Sequence, residues 1–169
     1  MLMRKSVAAA LFITLLACTG NGSEPSETPA APSPTQVAGV DRSCKTSDGE
    51  NYAARTVRDE TFRAENLDCA EFKASELNGV TFDGTQMSLG DFRGARLVEV
   101  TFKDVNLNFS NFQEAVLIDV SFVATNLYRA SFIGADVRSA RFSNTSCPDG
   151  LNSDDVGGSC RGHGVDDPS

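Results

Sequence analysis

Residues 130–139 read Ala130-Ser131-Phe132-Ile133-Gly134-Ala135-Asp136-Val137-Arg138-Ser139, in which a small residue, a polar residue and a large apolar residue are followed by two more, and the order then repeats. Extending this five-residue period in both directions finds large apolar side chains at Phe62, Leu67, Phe72, Leu77, Phe82, Met87, Phe92, Leu97, Phe102, Leu107, Phe112, Leu117, Phe122, Leu127, Phe132, Val137 and Phe142, which is 17 positions without a slip. From Ala70 to Ala140, nearly every residue two places earlier is small. On an α-helix a step of five advances about 500°, which scatters the large residues around the cylinder. On a strand, odd spacing sends alternate ones to opposite faces. A chain that bends by a quarter-turn in every repeat keeps all of them pointing at one axis, and four bends close one coil.

These residues resemble the pentapeptide-repeat pattern, and the resemblance implies an all-β fold, a right-handed quadrilateral β-helix of about four coils with irregular caps. Phe and aliphatic residues alternate. With four repeats to a coil, Phe62, Phe82, Phe102, Phe122 and Phe142 share one face, and Phe72, Phe92, Phe112 and Phe132 share the opposite one. Nine of the 11 phenylalanines then stack at the strand spacing of about 4.8 Å. Glu60 and Glu65 depart from the small slot, and Val57, with Arg55 in its small slot, reads as an irregular cap.

Around the repeat the chain divides by composition. Met1-Leu2-Met3-Arg4-Lys5-Ser6 and the apolar run Val7 to Ala17 form a basic n-region and an h-region. The run is too short for a membrane span, which needs about 20 apolar residues. Leu15-Leu16-Ala17-Cys18 resembles the lipobox of a bacterial lipoprotein precursor, which implies a signal peptide over 1–17 and lipidation of Cys18; an ordinary secretory peptide or a cytoplasmic protein with an apolar start are the alternatives. Residues 18–40, rich in Ser, Thr, Pro and Gly, cannot bury enough surface to fold and read as a linker. As a coil of about 22 residues it reaches roughly 25 Å. Residues 41–56 are then an N-terminal cap, 57–146 the β-helix, and 147–169 a disulfide-closed cap and tail.

Repeat rods need caps because their end coils leave the core open. Cys44, Cys69, Cys147 and Cys160 remain beside Cys18, and four cysteines allow three connectivities. Cys147 with Cys160 closes a short loop, by chain entropy at about 3 kcal/mol; Cys44 with Cys69 then fastens the N-terminal segment to the first coil. Asp149, Asn152, Asp154 and Asp155 carry oxygens of the kind calcium takes, but not in EF-hand register, and serve a turn-rich loop equally well.

The chain's 169 residues carry 23 acidic and 15 basic side chains, net charge -8, and one histidine, His163. That balance argues against nucleic-acid binding. The lone histidine and a core filled with Phe and Leu leave nothing from which to assemble a catalytic site or bind a metal or cofactor, so no enzyme is expected. The pentapeptide-repeat resemblance also brings in cytoplasmic members that imitate duplex DNA and bind DNA gyrase. Residues 57–104 hold 10 acidic and 6 basic side chains, but 105–146 hold 3 of each, a poor imitation of DNA. The preferred reading is an exported, membrane-anchored lipoprotein, touching the membrane through its lipid only and binding an envelope or extracellular protein. Apolar residues at outward positions mark the expected partner or homodimer surface: Val98, Val116 and Ile118 on one face, Leu89 and Phe109 at one corner.

Overall fold

The computed structural model describes Cys44 and residues 49–165; Cys18 and the linker lie outside the described residues. The described chain winds into a four-sided parallel β-helix. Its sides are of two kinds, told apart by their backbone. One pair of adjacent sides consists of short strands. β1 (Thr56–Arg58), β3 (Glu76–Asn78), β5 (Arg96–Val98), β7 (Val116–Ile118) and β9 (Asp136–Arg138) stack in that order into one sheet. β2 (Thr61–Arg63), β4 (Thr81–Asp83), β6 (Thr101–Lys103), β8 (Ser121–Val123) and β10 (Arg141–Ser143) stack into the other. The remaining two sides are held by parallel bridges at single residues, Asn51 to Glu71 to Asp91 to Asn111 to Ser131 and Asn66 to Gln86 to Asn106 to Asn126 to Ser146. Every one of these partners lies one full coil further along the chain, so identical repeat positions stand in register from coil to coil.

The centre residue of each strand is buried and its neighbours face outward. The phenylalanines form the two expected columns. Rings 62, 82, 102, 122 and 142 stack at centroid separations of 5.0–5.2 Å. Rings 72, 92, 112 and 132 stack at 4.6–4.9 Å. Where the columns meet across the interior the rings are nearly perpendicular, as for Phe92 and Phe102 at 89°, an edge-to-face contact that the aromatic quadrupole favours. Leu77, Leu97 and Leu117 fill the side between, and Leu67, Met87, Leu107 and Leu127 the last.

The small slot is buried because it occupies the inside of each bend. A Cβ on Gly90 would stand 3.2 Å from both the Met87 carbonyl oxygen and the Phe92 ring. Four of the five hydroxyls in this slot donate to backbone carbonyls, Ser75 Oγ to Phe72 O, Ser110 Oγ to Met87 O, and Thr125 and Thr145 Oγ1 to Phe102 O and Phe122 O, while Thr85 Oγ1 is buried with no partner among the described residues.

The coil begins earlier than the sequence pattern indicates. Val57, read both as the first residue of the β-helix and as an irregular cap, is buried in regular register opposite Leu77, and Tyr52, within the expected N-terminal cap, stacks on Phe72 at 4.7 Å as the first ring of its column. Arg55, Glu60 and Glu65 occupy small slots yet stay exposed, because they lie on the rim of the first coil. Cys44 is bonded to Cys69 beside this rim. At the other end Cys147 is bonded to Cys160, and a short 3-10 helix, Ser153–Val156, packs against β10.

Removing the Phe102 ring from the middle of its column should cost about 3–5 kcal/mol in the Phe102→Ala variant. Lys103→Ala, which loses exposed ion pairs to Asp83 and Asp104, should cost less than about 1 kcal/mol. Urea unfolding of both variants checks this; equal effects would contradict the register.

Candidate binding corner

The quarter-turns are made by residues two places after each large apolar one. From Ala54 to Asn144 these residues sit in the left-handed region. On the two bridge-held sides the bend is closed by a hydrogen bond from the next small residue, as in Gly90 N to Met87 O (3.1 Å) and Ser110 N to Leu107 O (3.1 Å). That is the pattern of a type II turn, whose third position favours Gly or Asn. For other residues the left-handed conformation costs roughly 1–2 kcal/mol.

The other three corner lines hold Gly, Asn, Asp, Ala, Ser or Glu. One line carries three bulkier residues: Leu89 (φ 61°), Phe109 (φ 59°) and Arg129 (φ 58°). Each follows the last by one coil, so all three stand in one column, above Cys69 (φ 62°) and its disulfide. Left-handed non-glycine residues stand on the other corner lines too, Ala54, Glu99, Glu114 and Ala124 among them, so what sets this line apart is the size of its side chains. Leu89 and Phe109 are half-buried. The Phe109 ring meets Tyr128 edge-on at 6.2 Å, and the Arg129 guanidinium lies 5.6 Å from the Phe109 centroid and 5.2 Å from that of Tyr128. Beside the base of the column a cleft of about 300 Å³ is lined by Cys44, Asn51, Cys69, Glu71, Leu89, Asp91 and Arg93. Burial works to raise the Asp91 carboxyl, but side-chain and backbone hydrogen bonds from Arg93 outweigh it and hold the group below its usual range.

The expected partner residues therefore fall into two places. Leu89 and Phe109 share the corner; Val98 and Ile118 are register partners on another side, with Val116 beside Ile118 in the same strand, and all three are half-buried. Tyr128 and Arg129 were not legible as part of the corner, although one coil on from Phe109 the chain reaches Arg129. Tyr128, Ile133 and Leu151 are the exposed large apolar side chains of the described residues, and they lie on the last coil and its cap.

On one bridge-held side Asn66, Gln86, Asn106 and Asn126 form an outward column of amides with a structural task. Asn66, Asn106 and Asn126 each accept through Oδ1 from the backbone N–H two residues on, as Asn111 does on the other bridge-held side, and Asn126 Nδ2 donates down the column to Asn106. Three of the four residues considered for calcium have a side-chain oxygen engaged within the cap. Asn152 caps the 3-10 helix, Asp154 Oδ1 accepts from Asn144 N, and Asp149 accepts from Leu151 N and pairs with His163 Nδ1 at 2.8 Å. No group of three or more His, Cys, Asp or Glu side chains converges among the described residues.

Two outcomes follow. Leu89→Gly and Phe109→Gly should each stay within about 1 kcal/mol of the parent in urea unfolding, because relief of the left-handed strain offsets the lost contact; a loss above about 2 kcal/mol would make the corner a stability element. The Leu151 N–H and then His163 hold the Asp149 carboxyl below the ordinary aspartate value of 3.8. Stability from these contacts is complete above that value and lost as pH falls through the lowered one. The melting temperature of the parent should exceed that of Asp149→Asn near about pH 6 and converge with it near about pH 2.

A family description of pentapeptide repeats matches residues 66–104 and 106–144 in eight copies. No curated protein matches the chain. Among solved structures it is similar to a pentapeptide repeat protein from the thylakoid lumen of Arabidopsis thaliana, at 20% identity and a TM-score of 0.55 over 62% of this chain and 73% of that one. It is similar to a pentapeptide repeat protein from the cyanobacterium Cyanothece 51142, at 15% identity and a TM-score of 0.48 over 57% of this chain and 83% of that one. It is also similar to QnrB1, a plasmid-mediated fluoroquinolone resistance protein, at 17% identity and a TM-score of 0.48 over 57% of this chain and 53% of that one. At these identities the likeness is one of fold.

Proposed function

Because the chain belongs to the pentapeptide-repeat family, we propose that it is a non-enzymatic binding rod, exported and held at the cell envelope by a lipid on Cys18, that presents the corner of Leu89, Phe109, Tyr128 and Arg129 to another protein. The observation that carries this reading is the single column of bulky left-handed residues. The other corner lines hold Gly, Asn, Asp, Ala, Ser or Glu, whereas this one carries Leu, Phe and Arg one coil apart. Partly exposed rings and an arginine are the residue types enriched at the centres of protein interfaces.

Export is supported by the two disulfides, which persist outside reducing compartments. The basic and apolar N-terminal segment with Cys18 supports the anchor. Non-enzymatic action is supported by the interior, where stacked rings and aliphatic side chains leave the chemistry to a convex outside. The gyrase-binding reading is disfavoured by the same disulfides and by the neutral half of the rod.

The natural precursor expressed in a bacterial host should incorporate labelled palmitate and fractionate with membranes, and Cys18→Ala should lose both. A photo-crosslinking amino acid in place of Leu89 should form a discrete adduct with an envelope protein, and one in place of Asp119, on another side, should not. Unlabelled cytosolic protein would overturn the anchor, and equal adducts at both positions would overturn the corner.

A further inference from the structure

Two arginines on the sides of the rod pair with a carboxylate of their own repeat. Arg93 forks onto Asp91, and Arg138 onto Asp136. Arg129 is placed differently. Its guanidinium rests against the Phe109 and Tyr128 rings, and among the described residues no carboxylate lies within ion-pair distance of it. The next residue of its column, Asp149, has its carboxylate engaged by the Leu151 N–H and His163.

Two rings fix the plane of a guanidinium while leaving the N–H donors along its edge unused. That fork matches the two oxygens of a carboxylate, and charge-assisted bidentate pairs are among the stronger polar contacts. Residues 105–146 carry 3 acidic and 3 basic side chains, against 10 and 6 over residues 57–104, so an approaching anion meets less acidic surface on this coil than on the lower ones. Tyr128, Ile133 and Leu151, 38%, 70% and 48% exposed, supply apolar surface on the same coil and its cap.

We infer that Arg129, backed by Phe109 and Tyr128, is the receptor for an aspartate or glutamate side chain of the partner protein, in a segment whose neighbouring apolar residues meet the exposed apolar side chains of the last coil. This rests on the corner being a binding surface and adds the chemistry of what binds. Every covalent bond stays intact; the contact is an ion pair with two parallel N–H donors.

The test uses the full chain, ¹⁵N-labelled, titrated with a blocked octapeptide of alternating Glu and Leu and with its Gln and Leu counterpart. The Glu peptide should shift the Arg129 side-chain signal and the amides of Phe109 and Tyr128, and the Gln peptide should bind about tenfold more weakly. Arg129→Gln should lower affinity for the Glu peptide about tenfold, and Arg129→Lys, which keeps the charge without the fork, should lose part of it. Unchanged amide signals of Phe82 and Phe102 would report an intact core in both variants. Equal binding of the two peptides would overturn the carboxylate while leaving the corner as a binding surface. Unaltered affinity in Arg129→Gln, or no shift with either peptide, would overturn the assignment to Arg129. Vesicles of phosphatidylglycerol shifting the same signals where the Glu peptide does not would overturn it in favour of a lipid phosphate.

Discussion

The structure depends on a residue in the left-handed region at every fifth position. That conformation turns the chain through a corner, and four corners bring it back above its starting point. Register follows from this, since a coil of fixed length places each residue over its counterpart. Ring stacking follows from register, because phenylalanines at one repeat position arrive at the strand spacing, which is also a good distance for offset rings. The same corners turn backbone carbonyls inward, and Ser and Thr in the small slot satisfy several of them. Hydrophobic burial supplies the driving force, but the corner decides where each buried group goes.

The fold was legible because its period is carried by the bulkiest side chains. Phe and Leu at every fifth position admit few backbone solutions, and the alternation of Phe with aliphatic residues assigned the four sides. The ends were less legible. Tyr52 and Val57 lie beyond the point where the small-residue signal fails, since rim positions tolerate Arg55 and Glu60 where interior coils do not. A pattern read through its small residues stops one coil too soon; read through its large ones, it reaches Tyr52.

The corner was half legible, for a physical reason. Leu89 and Phe109 stand out as apolar residues at outward positions. Arg129 and Tyr128 do not, because one is polar and the other ordinary at a surface. What unites Arg129 with Leu89 and Phe109 is a left-handed corner position and a step of one coil, and Tyr128 joins them only through its ring contact with Phe109. The contrast with Arg93 and Arg138 is equally structural. An Asp two residues before an Arg within one repeat places both on the same outward side, where they neutralise each other.

In-register stacking also sets a rule of phase. Adding or losing one repeat between Phe109 and Arg129 leaves the core pattern of large and small residues intact but rotates everything beyond it by a quarter-turn. The guanidinium would then project from a different edge of the rod than the ring beneath it. Only the gain or loss of a whole coil keeps the column aligned. The surface of such a protein is thus far less tolerant of length variation than its interior, the reverse of the usual relation between core and surface.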